Sequence, residues 1–168
     1  MVFPAVNFHI NRVCNARCRF CFATFEDVPG QLPTEDAERL VTLLAEAGVE
    51  KLNFAGGEPT LHRGLGALLT HARGLGLTTS VVTNGARLAE LLDRHAADLD
   101  WAGLSVDSAS EATEVALGRG RGTYVAQSVA LSDRCRERGV RVKLNTVVTA
   151  LNVHERLHAL VRRIRPER

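Results

Sequence analysis

Strand-like and helix-like stretches alternate five times along this chain, and that alternation limits its fold more than any other feature. Short apolar or β-branched runs occur at VNFHIN (6–11), KLNFAGG (51–57), TTSVVTNG (78–85), WAGLSVDS (101–108) and VRVKLNTVV (140–148). Between them, apolar residues recur at the i, i+3, i+4 spacing of a helix with one buried face. These helical segments span 34–47, 65–74, 87–98, 123–138 and 152–164. The clearest, TEDAERLVTLLAEA, puts Leu40, Leu43, Leu44 and Ala47 on one face. Thr34 is its expected N-cap, Glu35 and Asp36 suit the positive end of the helix dipole, and Gly48 is the expected stop. Such repeats give an α/β fold with a parallel sheet, because parallel neighbours need a crossover connection. Pattern alone leaves a doubly wound sheet and a partial barrel open.

The 168 residues suffice for one domain with a sizeable core, and no linker or low-complexity tract divides them. Residues 1–168 are therefore expected to form one core domain. The chain stops at RPER, where a sixth strand would follow the fifth helix, and is expected to be truncated. No apolar run approaches the roughly 20 residues that span a bilayer, and MVFPAV lacks the regions of a signal peptide. A cytoplasmic protein with no membrane partner is expected. A net charge of +2 supplies no broad basic field, which argues against a nucleic-acid partner.

The strands do not read as continuously apolar, as parallel strands covered on both faces do. They split instead by parity. Leu52 and Phe54 oppose Lys51 and Asn53, and Val142 and Leu144 oppose Lys143 and Asn145. Val6, Phe8 and Ile10 oppose Asn7, His9 and Asn11; Leu104 and Val106 oppose Ser105 and Asp107. The polar faces are either solvated or converge on one interior surface. Of 21 basic residues only Lys51 and Lys143 are lysines, and each stands in a K-x-N strand. A compact ammonium differs from a guanidinium as a phosphate ligand, so the pairing favours a polar cavity for an anion.

Three of the four cysteines lie in CNARCRFC, as Cys14, Cys18 and Cys21. The spacing makes no disulfide framework and points to metal or cluster chemistry in a reducing compartment. The loop follows the first strand, at the end of the sheet where α/β active sites gather. Structural zinc asks for four ligands. Cys135 sits mid-helix and reads as packing, and His9 belongs to the strand. A [4Fe–4S] cluster held by three cysteines leaves one iron open to a small molecule.

C-x3-C-x-Phe-C, with Phe20 before the last cysteine, resembles the signature of the radical S-adenosylmethionine (SAM) superfamily. GGEP (56–59), at the end of the second strand, resembles that superfamily's SAM-binding motif. Taken with VTNG, LSVDS, GRGRG and VKLNTVV, the chain from about residue 5 onward is similar to the viperin family, in a prokaryotic form. The resemblance implies a partial (β/α)6 barrel with about five β/α units present. It implies a [4Fe–4S] cluster on Cys14, Cys18 and Cys21, with SAM contacts on Phe20, Gly56, Gly57, Glu58, Asn84, Ser105 and Arg119. Gly56 and Gly57 would let backbone approach the SAM amino group. Substrate contacts would fall on Asn7, Lys51, Asn53, Lys143, Asn145 and Arg168.

Viperins convert a nucleoside triphosphate to its 3′-deoxy-3′,4′-didehydro analogue, a chain terminator for viral polymerases. CTP, GTP or UTP is the implied partner, along with a reductase, flavodoxin or ferredoxin as electron donor. Viperins also continue beyond the matched region, with a sixth strand and a closing segment. Two rival readings keep the cluster: another radical SAM enzyme, peptide-modifying or glycyl-radical-activating, and a non-catalytic iron–sulfur or zinc protein. The first gives no reason for two K-x-N strands, and electron carriers usually saturate the cluster with four cysteines, which this chain does not offer locally.

Overall fold

The computed structural model describes residues 4–23, 27–28 and 31–168. Each apolar run becomes a strand: β1 (Ala5–Asn11), β2 (Lys51–Gly56), β3 (Thr78–Thr83), β4 (Trp101–Ser105) and β5 (Arg141–Asn145). The connections carry α1 (Thr34–Glu46), α2 (Leu65–Gly74), α3 (Leu88–His95), α4 (Glu111–Leu117), α5 (Tyr124–Glu137) and α6 (His158–Ile164). All pairings are parallel, and the strand order is β1-β2-β3-β4-β5. A doubly wound sheet must reverse its strand order at a switch point. This one never does, so successive crossovers of the same hand place every helix on one face. The result is an open, partial β/α barrel.

Parity assigns the two faces as the sequence reading expected. Leu52, Phe54, Val81, Ala102, Leu104 and Val142 point into the helix layer and pack on Val41, Leu68, Leu69, Leu92, Val125, Leu160 and Ile164. Each fully buried aliphatic side chain there contributes about 1.5–3 kcal/mol relative to exposure. The other face of the sheet stays polar and forms the inner surface.

Local details differ from expectation. Pro33, not Thr34, occupies the N-cap of α1 and no side chain caps it, while Gly48 does end the helix at φ 84. The buried stripe of α1 is Ala37 and Val41, with Leu40 and Leu44 partly covered; Leu43 is 52% exposed. The last helix begins at 158 rather than 152, because Asn152 holds a turn. Its Oδ1 accepts the Thr149 N–H at 2.6 Å, and its Nδ2 donates to the carbonyls of Asp107 and Val147 at 2.8 and 2.9 Å. The pattern missed α4 altogether. Seven residues give too little periodicity, although Ser110 caps it by accepting the Thr113 N–H and Gly118 ends it at φ 90. Residues 167–168 run beside β5, with Glu167 N–H donating to Val142 and Leu144 N–H to Arg168. Among the described residues no helix is long and apolar enough to cross a membrane.

Candidate active site

The loop leaving β1 carries Cys14 and Cys21 exposed and Cys18 half-buried. Backbone bonds fasten it: Arg17 N–H to Gly118 O at 3.2 Å, Arg19 N–H to Leu117 O at 3.0 Å, and Cys21 N–H to Cys18 O at 3.2 Å. A Cβ on Gly118 would lie 2.2 Å from the Arg17 carbonyl, so only glycine lets the GRGRG segment back the cysteine loop this closely. Burial raises the Cys14 and Cys18 thiols, which Arg119 partly offsets. A soft metal centre displaces such protons on binding. Among the described residues no three His, Cys, Asp or Glu side chains are grouped to chelate a single ion. Three soft thiolates on one loop suit an iron–sulfur cluster that leaves one iron open. Cys135 lies buried in α5, its thiol pushed up to about 12 by burial, and serves packing as expected.

The end of β2 is pressed against the exit of β1. Gly57 N–H donates to Asn11 O and Glu58 N–H to Val13 O, both at 2.8 Å. A Cβ on Gly56 would meet the Asn11 carbonyl at 2.3 Å, and one on Gly57 the Arg12 and Val13 carbonyls at 2.5 Å. The two glycines therefore have a structural demand of their own, placing the cysteine loop. Glu58 is 1% exposed. Its Oε1 accepts Thr60 N–H at 3.0 Å, Thr60 Oγ1 at 2.6 Å and Thr83 Oγ1 at 2.5 Å; its Oε2 accepts Asn84 N–H at 2.6 Å. With four protein donors on it, this carboxylate ties β2 to β3 and sets Asn84 in place.

Asn84 follows β3 and reaches back to the cysteine loop, with Nδ2 donating to Asn15 Oδ1 at 2.9 Å and to Cys14 Sγ at 3.7 Å. Ser105 ends β4, and Tyr124 OH donates to its carbonyl at 2.5 Å. Arg119 is 8% exposed, paired through Nε with Asp107 Oδ2 at 2.5 Å, and lies 5.4 Å from the Phe20 ring centroid. A guanidinium fixed by one edge and one face has few directions left, so Arg119 is a rigid element of the wall.

Cys14, Cys18, Phe20, Cys21, Gly56, Gly57, Glu58, Asn84, Ser105 and Arg119 all line one cavity of about 450 Å³. Asn7, Asn53, Lys143 and Asn145 line the same space. Asn53 Nδ2 donates to Asn7 Oδ1 at 2.8 Å, while Asn53 Oδ1 is buried without a partner. A Cβ on Gly103 would come within 2.9 Å of Asn145 Nδ2, so the glycine clears room for that amide. Lys51 and Arg168 are not on this lining. They sit nearer the start of the strands around Trp101, although Lys143 acts on Lys51 electrostatically.

Sequence reasoning passed over the residues that hold the site. Asp107 appeared only as one polar residue of a strand, yet it anchors Arg119 and accepts Val147 N–H at 2.8 Å. Glu114 accepts the N–H groups of Asp107 and Ser108 at 2.7 and 2.8 Å. The spacing of Asp107, Glu114 and Arg119 has no motif to betray it; only the fold brings them together.

Comparison with known proteins bears on the family and the fold. An S-adenosylmethionine-dependent nucleotide dehydratase of Flammeovirga pacifica is 40% identical over 177 residues, covering 99% of this chain and 61% of the relative. One of Lacinutrix mariniflava is 40% identical over 176 residues, covering 98% of this chain and 37% of its own. The corresponding RSAD2 protein of Danio rerio is 37% identical and is covered over 48% of its length. The chain thus spans between 37% and 61% of these relatives. Among solved structures, Streptococcus suis SuiB bound to S-adenosylmethionine superposes with a TM-score of 0.76 at 19% identity, over 98% of this chain and 39% of SuiB. An anSMEcpe structure with bound AdoMet and a peptide gives 0.71 at 19% identity, over 94% of this chain and 48% of that one. The family model of the radical SAM superfamily matches residues 8–162, and the chain belongs to that superfamily.

Proposed function

We propose that this chain forms the catalytic core of a radical SAM enzyme that dehydrates a nucleoside triphosphate to its 3′-deoxy-3′,4′-didehydro analogue. The observation that carries this reading is a single cavity with three cysteines at its mouth and Asn7, Asn53, Lys143 and Asn145 on its inner face. Relatives of the same length of match are named nucleotide dehydratases, which supports it.

Radical SAM enzymes use a [4Fe–4S] cluster and SAM, which together supply a 5′-deoxyadenosyl radical that takes a hydrogen atom from the substrate. Cys14, Cys18 and Cys21 would hold that cluster, and Phe20, Gly56, Gly57, Asn84, Ser105 and Arg119 border the space for SAM. The protein's own tasks are positioning and exclusion of water. Arg119 on Phe20 closes one wall, the Glu58 latch fixes Asn84, and the amides of Asn7, Asn53 and Asn145 offer both donors and acceptors to a sugar. Lys143 and Lys51 supply charge for phosphates. A one-electron donor, whether a reductase, flavodoxin or ferredoxin, is the further partner, and a reducing cytoplasm is the setting in which exposed thiols persist.

Anaerobic reconstitution followed by SAM, dithionite and each of CTP, GTP and UTP tests the reading. We expect 5′-deoxyadenosine release that rises with one nucleotide, and loss of that rise in the Lys51→Ala, Lys143→Ala double variant with SAM affinity unchanged. Release indifferent to every nucleotide would point to a different radical SAM substrate, such as a peptide.

A further inference from the structure

Toward the start of the strands, cations collect around Trp101, the one tryptophan of the chain. Arg141 Cζ lies 4.2 Å from the ring centroid, Lys51 Nζ 5.4 Å and Arg168 Cζ 5.5 Å. Trp101 and Arg141 are register partners, and Lys143 stands on the same face of β5 as Arg141. Among the described residues none of Lys51, Arg141, Lys143 and Arg168 forms an ion pair with a carboxylate. Burial lowers the Lys51 pKa, and Lys143, Arg168 and Arg141 lower it further; only Asp100 opposes them. Asp100 is already engaged, by Arg73 at 2.7 Å and by the Thr79 N–H at 2.8 Å. A π face relieves part of the repulsion among these cations. A polyanion would relieve the rest.

The level of this cluster along the sheet is informative. Ser105 pairs with Asn145 at the rim of the cavity and Gly103 with Lys143 below it; Trp101 with Arg141, at the bottom of the strands, lies just beyond the cavity's lining. At about 3.3 Å per residue, the rim and the bottom lie roughly 13 Å apart. That is enough for a sugar above and an extended phosphate chain below.

We propose that Trp101 and Arg141 form the floor of the substrate channel and select for phosphate-chain length. Resting on the nucleotide reading above, Lys143 meets the inner phosphates, and Arg141, its Cζ 4.2 Å from the Trp101 ring centroid, meets the terminal phosphate of a triphosphate. A guanidinium seated over an aromatic ring and free of carboxylates has N–H groups left for two parallel bonds to phosphate. A diphosphate stops short of that edge.

Calorimetric titration of the anaerobically reconstituted protein, with SAM present, tests the floor directly. The probes are CTP, GTP and UTP, their diphosphates, and inorganic tripolyphosphate and pyrophosphate. We expect triphosphates to bind about tenfold to a hundredfold more tightly than diphosphates. Arg141→Ala should erase that ratio by weakening triphosphates alone, with diphosphate affinity serving as the check on folding; Arg141→Lys should restore part of it. Emission from Trp101 should change on adding tripolyphosphate and not on adding orthophosphate. A ratio that survives in Arg141→Ala, or emission unmoved at saturating triphosphate, overturns the floor. Nucleotide-stimulated 5′-deoxyadenosine with the ratio intact in Arg141→Ala would sink the floor and keep the dehydratase reading. Tripolyphosphate binding with the ratio lost in Arg141→Ala, but no nucleotide stimulation, would do the reverse.

Discussion

Glu58 shows how a motif residue can matter through the protein rather than through a ligand. Its carboxylate takes two backbone N–H groups and two hydroxyls from Thr60, Thr83 and Asn84, at 2.5–3.0 Å in a site 1% exposed. Glu58→Gln would set an amide N–H₂ against one of those donors, an unpaired buried contact worth about 1–3 kcal/mol. We expect a clear drop in the thermal midpoint, together with weaker SAM binding because Asn84 moves. A midpoint equal to wild type would remove the latch. Residues such as Lys51 and Lys143 were legible beforehand because rarity and strand parity agreed: two lysines among 21 basic residues, each in K-x-N. Asp107 and Glu114 were not, since burial and a partner twelve or seven residues away leave no mark on composition. Trp101 and Arg141 escaped for a related reason. Each begins a strand and reads as a boundary residue until the register sets them side by side.

The β1–β2 junction is the element on which the cysteine loop depends. Parallel pairing runs from Ala5↔Lys51 to His9↔Ala55, then shifts so that Asn11 meets Gly56. That irregularity, with the close backbone approach at Gly56 and Gly57, turns the chain from strand into loop. Gly57→Ala would drive a methyl group to 2.5 Å from two carbonyl oxygens that belong to backbone and cannot swing away. The expected outcome is a loop displaced from the sheet, with cluster content by iron analysis falling several-fold while far-UV circular dichroism stays near wild type. Full iron loading in the variant would show that the approach is incidental. At this scale the sequence was most informative about periodicity and least about ends. Five strands and five of the six helices could be placed because burial on one face imposes a period. The boundaries of α6 and the whole of α4 depended on side-chain bonds from Asn152, Ser110 and Glu114, which follow from tertiary contacts and carry no period.

Across the whole molecule, the strand order decides the choice between a doubly wound sheet and a partial barrel that the alternation had left open, and one polar inner face follows from it. The wall of that inner face is sustained by a buried carboxylate whose acidity burial weakens. Glu114 is fully enclosed, its Oε1 accepts the Asp107 and Ser108 N–H groups, its Oε2 has no partner, and burial pushes its pKa up to about 7. Its carbonyl also accepts the Arg119 N–H at 2.8 Å, so the same residue positions both halves of the Asp107–Arg119 pair. An acid whose folded value exceeds its ordinary value of 4.5 binds more protons folded than unfolded. Its contribution is therefore complete below about pH 4.5 and is lost as pH rises through 7. Burial lowers His9 and His62, which act oppositely: acidification below their ordinary 6.5 favours the unfolded chain. Comparison with Glu114→Gln isolates the carboxylate, because glutamine keeps the Oε1 acceptor and has no proton to lose. Denaturant unfolding from pH 5 to 8 should show wild type losing about 2–3 kcal/mol relative to the variant, most of it between pH 5 and 7. A difference that stays level across that range would mean that the carboxylate finds a compensating partner when ionised, and the wall would then owe its rigidity to Asp107 alone.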